Sequence, residues 1–265
     1  MSGRRRPTRQ RRAELSQHFL RDASAARLVR ATSITHTDLV VEIGPGRGAL
    51  TKPLAKQAGA VLAVELDRYL ANKLVASSSD NVEIVAADFL DFDLPTQAYS
   101  VVANIPFSKS TEIVRKLADA ANPPLDAWLV VQKELANRLC GPPYAKESLW
   151  SLRLKPFWHL EIVSRLNKNE FDPPPAVDSV FLLLKHRGRV LVGTKERQAY
   201  FELLDTAFKQ HGSLAQALRT HTSKRQLKRL ASDLNFSPNA HASDLSFEQW
   251  LGVFRFTQSA IPARE

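Results

Sequence analysis

Through the first two-thirds of the chain, short apolar runs alternate with stretches in which apolar residues recur every three or four positions. Runs at 38–43, 60–64, 82–87, 99–103, 125–132, 158–163 and 179–184 have the length and the Val, Ile and Leu content of buried strands. Helical spacing follows the first, second and fourth of them, near 49–58, 67–76 and 108–121. Another amphipathic stretch, 23–31, sets Ala25, Leu28 and Val29 against Arg27 and Arg30. Alternation of this kind predicts an α/β fold on a largely parallel sheet. Beyond Arg187-Gly188-Arg189 no strand signal remains, and 195–211, 213–221, 223–234 and 246–256 read as helices. The chain thus divides into a basic arm (1–14), a sheet domain (15–188) and a small all-helical domain (189–265).

The predicted strands end in residues that carry chemistry. After the first comes Gly44-Pro45-Gly46-Arg47-Gly48, a turn whose glycines let backbone approach a ligand closely. Its Gly-x-Gly-x-Gly spacing departs from the pyrophosphate fingerprint and points to a cofactor without phosphates. The second strand runs into Glu65, about twenty residues beyond the first glycine, where an acid binds ribose hydroxyls. The third runs into Asp88-Phe89, a carboxylate for an adenine amine with an apolar neighbour for the ring. Either acid alone reads more readily as a solvated strand end. The fourth ends in Asn104-Ile105-Pro106-Phe107: an amide oxygen and a carbonyl able to accept the two hydrogens of a planar amine, and an aromatic face for its ring. Ligands of open parallel sheets bind at these carboxyl ends, and four in sequence outweigh the bland readings of each.

Charge changes the picture next. The net charge is +10, and residues 1–12 carry six arginines and no acid. With little to bury, that arm is expected to be disordered, either as a solubilising tail or as a grip on RNA phosphates through Arg4, Arg5 and Arg6. Between 213 and 232 there is again no acid, while Arg219, Lys224, Arg225 and Lys228 stand opposite Leu214, Leu218, Leu227 and Leu230. This is a solvated face or an RNA-backbone surface, and next to a basic arm and an adenine clamp the second reading is favoured. A single Cys140 excludes a disulfide framework and fits a cytoplasmic protein. The seven histidines show no paired metal-ligand spacing, and no apolar run is long enough for a membrane helix. Nothing suggests more than a monomer.

Three longer matches narrow the reading. Ser16-Gln17-His18-Phe19-Leu20, Val41 to Thr51 around the glycines, and Phe171-Asp172-Pro173-Pro174-Pro175-Ala176-Val177-Asp178-Ser179 resemble motifs of the rRNA adenine N6-dimethyltransferases, the Erm/KsgA superfamily. That resemblance implies a Rossmann-like seven-stranded methyltransferase domain, S-adenosyl-L-methionine as cofactor, and N6 of an rRNA adenine as acceptor. It implies that Gly44, Gly46, Glu65, Asp88 and Asn104 face the cofactor, with His18 and Leu20 closing over its methionine end as a lid. Asn104, Ile105 and Phe107 would hold the target base. Phe171 would pack on that base opposite Phe107, or else plug the core beneath its loop. His18 stands where the family usually has Asn, and Phe107 where the KsgA group usually has Tyr. Asn-Ile-Pro-Phe is more like the Erm branch, whose target is large-subunit rRNA. A KsgA-like enzyme acting on small-subunit rRNA and a non-catalytic nucleic-acid-binding scaffold are the alternatives.

Overall fold

In a computed structural model of the chain, residues 18–209 and 212–259 are described; Arg4, Arg5 and Arg6, like the rest of the arm, lie outside them. The described residues form two compact units, 18–136 with 160–186, and 137–159 with 187–209 and 212–259.

The first unit is built on strands β2 (Leu39–Ile43), β3 (Ala60–Glu65), β4 (Val82–Ala86), β5 (Ser100–Asn104), β6 (Asp126–Gln132), β7 (Trp158–Leu166) and β9 (Ser179–His186). Their spatial order is β4-β3-β2-β5-β6-β9-β7. The β4-β3, β3-β2, β2-β5 and β5-β6 pairs are parallel, and β6-β9 is antiparallel. The central strands are apolar because both of their faces are covered: Val40, Val41, Val101, Val102, Leu129 and Val130 are wholly buried. From β2 the chain steps outward to β3 and β4, then returns to place β5 on the other side of β2. The reversal between β2 and β5 opens the crevice in which doubly wound sheets bind ligands. The glycine turn and Asn104 flank it.

Helices α1 (Asp22–Arg30), α2 (Thr51–Gln57), α3 (Arg68–Val75) and α4 (Ser110–Ala118) lie close to the predicted positions. Helix α3 starts where the Asp67 carboxylate accepts the N–H groups of Tyr69 (2.8 Å) and Leu70 (3.3 Å), which satisfies two donors the helix leaves open. In α1 the buried Ala25, Leu28 and Val29 form the inner face, with Asp22 in the first turn and Arg27 and Arg30 in the last, as the helix dipole favours. A two-stranded ribbon had no counterpart in the sequence reading: β1 (Phe19–Leu20) pairs antiparallel with β8 (Phe171–Asp172).

The second unit comprises the end of α5 (Lys133–Cys140), α6 (Leu149–Leu154), α7 (Arg197–Lys209), α8 (Leu214–Ala217), α9 (Lys224–Asp233) and α10 (Phe247–Ser259) around Tyr200, Leu204 and Trp250. The division differs from the expected one in residues 137–159, which pack with the C-terminal helices rather than with the sheet domain. Tyr200 donates its hydroxyl to the Leu152 carbonyl (3.0 Å), Arg153 pairs with Asp205 (2.6 Å), and Phe157 meets Phe201 edge-on. Helix α8 is shorter than the predicted 213–221. Among the described residues no helix is long and apolar enough to cross a membrane, and no His, Cys, Asp and Glu group is arranged for a metal.

Candidate functional site

Gly44, Gly46 and Gly48 have φ of 63°, 58° and 81°, in the left-handed region that side chains with a Cβ avoid. Gly44 donates to the Val64 carbonyl (2.9 Å), tying the turn to β3, and a Cβ placed on it would meet nothing within 4 Å. Its open side gives a ligand room to approach backbone. Gly46 is closed off instead: its N–H donates to Glu65 Oε2 (2.9 Å), and a Cβ there would lie 2.7 Å from Phe19 Cε1. Of the two glycines assigned to the cofactor, Gly44 faces open space, whereas Gly46 is the floor on which Phe19 rests.

Glu65 ends β3 with its carboxylate buried, accepting from Gly46 at one oxygen and from Asp67 N–H (2.8 Å) at the other. Burial raises its pKa above the ordinary carboxylate value, and these backbone donors offset only part of that rise. Each oxygen keeps a lone pair, so the group can still accept two hydroxyls, as ribose recognition requires. Leu66 follows at 58 % exposed, a large apolar side chain presented beside this acid. Sequence reasoning missed it; the signal was an apolar residue between a strand-end acid and an N-capping Asp67.

Asp88 is half-buried and accepts the Leu90 N–H (2.8 Å). Phe89, expected to face a cofactor ring, is turned inward and buried, with Lys116 Nζ 5.2 Å from its ring centroid. Lys116 also donates to the carbonyls of Leu90 and Phe92, pinning this loop to α4.

Across the crevice, Asn104 Nδ2 donates to the His18 carbonyl (2.7 Å). A carbonyl oxygen can only accept, so the atom beside it must be the amide nitrogen, and Oδ1 is the atom left to accept from a ligand. Pro106 holds Ile105 out of helical backbone. The Pro106 carbonyl is taken by Lys109 N–H (3.0 Å) and the Ser110 hydroxyl (3.1 Å). Among the described residues, none donates to the Ile105 carbonyl. Phe107 is half-buried, its ring centroid 5.7 Å from that of His18 at 35°. The His18 ring is fixed through Nδ1, which lies 2.9 Å from the Pro173 carbonyl and therefore carries the hydrogen.

Two sequence assignments change. Phe171 is 0 % exposed and has no face to offer a base; opposite Leu20 in the ribbon, it belongs to the core cluster with Leu28 and Phe181. Its side chain lies in the core beneath its loop. Leu20 is likewise a core side chain, at 6 % exposed; from the same segment the His18 carbonyl reaches Asn104 and Phe19 rests on Gly46. Lys224, Arg225 and Lys228 are exposed on α9, whose Leu227 and Leu230 are buried, and Arg219 is exposed in the turn before that helix.

One acid that the sequence reading left without a role lies beneath the turn. Glu42, on β2, is 1 % exposed; burial, and secondarily the charge of Glu65, push its pKa up to about 8, with Thr51 offsetting part of this. Between its unfolded value near 4.5 and that folded value, the folded state binds a proton that the unfolded state does not. Its contribution to stability is therefore full below pH 4.5 and lost as pH rises through about 8. Glu42→Gln is expected to leave the melting temperature nearly unchanged at pH 5 and to raise it at pH 8.5. At ~1.4 kcal/mol per pKa unit the gain is on the order of a few kcal/mol. Equal shifts at the two pH values would show that Glu42 is ionised throughout.

A nucleotide-type cofactor on one side of a switch point and a clamp for a planar amine on the other is the division of labour of a Rossmann-like methyltransferase. The comparisons name the family: over residues 8–259 the chain matches the ribosomal RNA adenine dimethylase family and belongs to it. It is thereby an rRNA adenine methyltransferase. It is 35 % identical over 257 residues to the ribosomal RNA small subunit methyltransferase A of Thermosynechococcus vestitus, covering 91 % of this chain and 95 % of that protein. It is 36 % identical over 206 residues to an rRNA adenine N-6-methyltransferase of Corynebacterium diphtheriae, covering 76 % and 79 %. The crystal structure of the 23S rRNA methyltransferase ErmE superposes with a TM-score of 0.83 at 28 % identity, covering 91 % of this chain and 99 % of that one.

Proposed function

We propose that this chain transfers a methyl group from S-adenosylmethionine to N6 of one adenine in 23S rRNA, as Erm enzymes do, and so confers resistance to macrolides, lincosamides and streptogramin B. One observation carries the chemistry: Asn104 Oδ1 is left as an acceptor at the switch point, because Nδ2 is committed to His18. The large-subunit target is supported by the likeness to ErmE, by the Corynebacterium diphtheriae relative and by Asn-Ile-Pro-Phe. A second reading, methylation of small-subunit rRNA, is favoured by the small subunit methyltransferases that match nearly the whole chain.

S-adenosylmethionine, when bound, supplies a methyl group on a sulfonium whose departure needs no acid. Gly44 would offer it open backbone, Glu65 would accept its ribose hydroxyls, Leu66 would lie against its base, Asp88 would accept from its amine, and His18 would cover its methionine end. The target adenine leaves its stack to reach the crevice. Asn104 Oδ1 and the Ile105 carbonyl accept the two N6 hydrogens and favour the pyramidal, nucleophilic amine. Phe107 stacks on the ring and sets the angle of attack, so rate arises mainly from orientation. The proton passes to water.

Arg219, Lys224, Arg225 and Lys228 hold RNA phosphates, as do Arg4, Arg5 and Arg6 of the arm. Replacing Lys224, Arg225 and Lys228 with Ala together is expected to flatten the dependence of log K on log salt by roughly 2–3 units. An unchanged slope would remove this face from the RNA surface.

The deciding assay supplies labelled S-adenosylmethionine with protein-free 23S rRNA, protein-free 16S rRNA and small-subunit particles, mapping product by primer extension. A stop at one 23S adenine supports the proposal. Label only in 16S rRNA or particles would replace it with the small-subunit reading.

A further inference from the structure

The segment carrying His18 is held by little backbone. Ribbon β1-β8 has two residue pairs, and so short a ribbon has marginal stability of its own. Its inner side is anchored by the buried Leu20 and by Arg21, whose N–H and Nε donate to the carbonyls of Glu170 and Asn169, each at 2.8 Å. Its outer side depends on Phe19, which rests on Gly46. There Arg47, from the glycine turn itself, places its guanidinium carbon 4.5 Å from the Phe19 ring centroid and Nη1 3.3 Å from Asp172 Oδ2. One side chain thus spans both strands of the ribbon, stacking on a residue of β1 and pairing with one of β8. The carbonyl next to Phe19 is the one that orients Asn104.

We infer that Arg47 is a positioning residue for the proposed methyl transfer: it latches the 18–20 strap onto the glycine turn, and the strap in turn holds the His18 carbonyl that aims Asn104. This rests on the methyl-transfer reading above. It also gives Gly46 a purpose separate from its φ, since any side chain there would strike Phe19 and lift the strap. The Arg47–Asp172 pair is solvent-exposed on both sides, so the ion pair alone contributes little; the stacked, planar guanidinium is what Lys cannot reproduce.

The test has two readouts on the full chain. Hydrogen exchange without any ligand reports strap order: Arg47→Ala should expose amides around 19–21 at least about tenfold faster, with the β2 and β5 amides unchanged. Kinetics on the rRNA that the wild-type protein methylates should then show kcat lowered about tenfold, with a smaller rise in KM for S-adenosylmethionine because the strap also carries His18. Arg47→Lys, which keeps the charge but not the planar stack, should recover little of either, and Phe19→Ala should copy Arg47→Ala in exchange. Unchanged strap exchange in Arg47→Ala would overturn the inference, as would a loosened strap with undiminished kcat. Exchange is read on the protein alone, so a wild-type chain inactive on every RNA would count against the methyl-transfer reading, while the exchange still decides whether the latch exists.

Discussion

Asn104→Ala is expected to lower kcat by at least about 10²-fold, the loss typical when a preorganised group facing the reacting atoms is removed. Cofactor affinity should change by less than about threefold, well under 1 kcal/mol. The split follows from the geometry. Asn104 lies across the switch point from Gly44 and Glu65, and its Oδ1 is the acceptor left after Nδ2 has bonded to His18 at 2.7 Å. Asn104→Asp separates the two ends of the amide. Aspartate keeps an acceptor of the same shape but sets a carboxylate oxygen against the His18 carbonyl, where two acceptors repel. If the hydrogen bond to His18 aims the clamp, Asp should lose at least about tenfold in kcat. Full activity of Asn104→Asp would show that an acceptor at this position suffices however it is held, and equal loss of cofactor binding in Asn104→Ala would refute the division of labour.

What could be read ahead of the structure was whatever local pattern encodes. The apolar run before Gly44 is a strand because both of its faces are buried, and that leaves a mark in consecutive residues. Glu65, Asp88 and Asn104 could be named as candidates because a parallel sheet places successive strand ends along one edge. Contacts made at long range left no such mark. Ribbon β1-β8 joins residues about 150 positions apart with two pairs, too few for any periodicity, and it is this pairing that puts Phe171 beside Leu20 in the core. From sequence alone, an aromatic before a proline run reads equally as a surface stacker. Residues 137–159 illustrate the same limit. Their helix α6 is a local matter, but its partners Tyr200 and Asp205 lie some fifty residues on, so the pattern does not reveal which unit it joins.

The orientation of Asn104 was illegible for a related reason. The sequence offers an amide with a donor end and an acceptor end, and only the arriving His18 carbonyl decides which end is free. A candidate residue could therefore be named from its strand end, while its alignment depended on a segment 86 residues away. The same holds for Gly46, whose positive φ was foreseeable in a glycine turn but whose contact with Phe19 was not.

Glu65→Ala and Glu65→Gln are both expected to weaken S-adenosylmethionine binding by about 100-fold, with kcat at saturating cofactor changed by less than about threefold. Gln should fare no better than Ala, although it is closer in shape. The carboxylate already accepts from Gly46 and Asp67, so an amide nitrogen at either oxygen would face an N–H donor. It would disturb the glycine turn as well as the ribose site. Titration by calorimetry separates this from general damage, because the turn lies beside Gly44 and the melting temperature of the free protein reports its integrity independently. The same acid predicts a pH dependence of fixed sign. Burial raises the Glu65 pKa, and only the ionised form accepts at both oxygens, so cofactor affinity should be full above that raised value and fall as pH drops through it. Below it the decline approaches tenfold per pH unit. The midpoint should lie above 4.5, the value of an ordinary glutamate. If affinity in the wild-type protein were flat across the acid range, or if Glu65→Gln retained the same decline, the ribose assignment would have to move to another group.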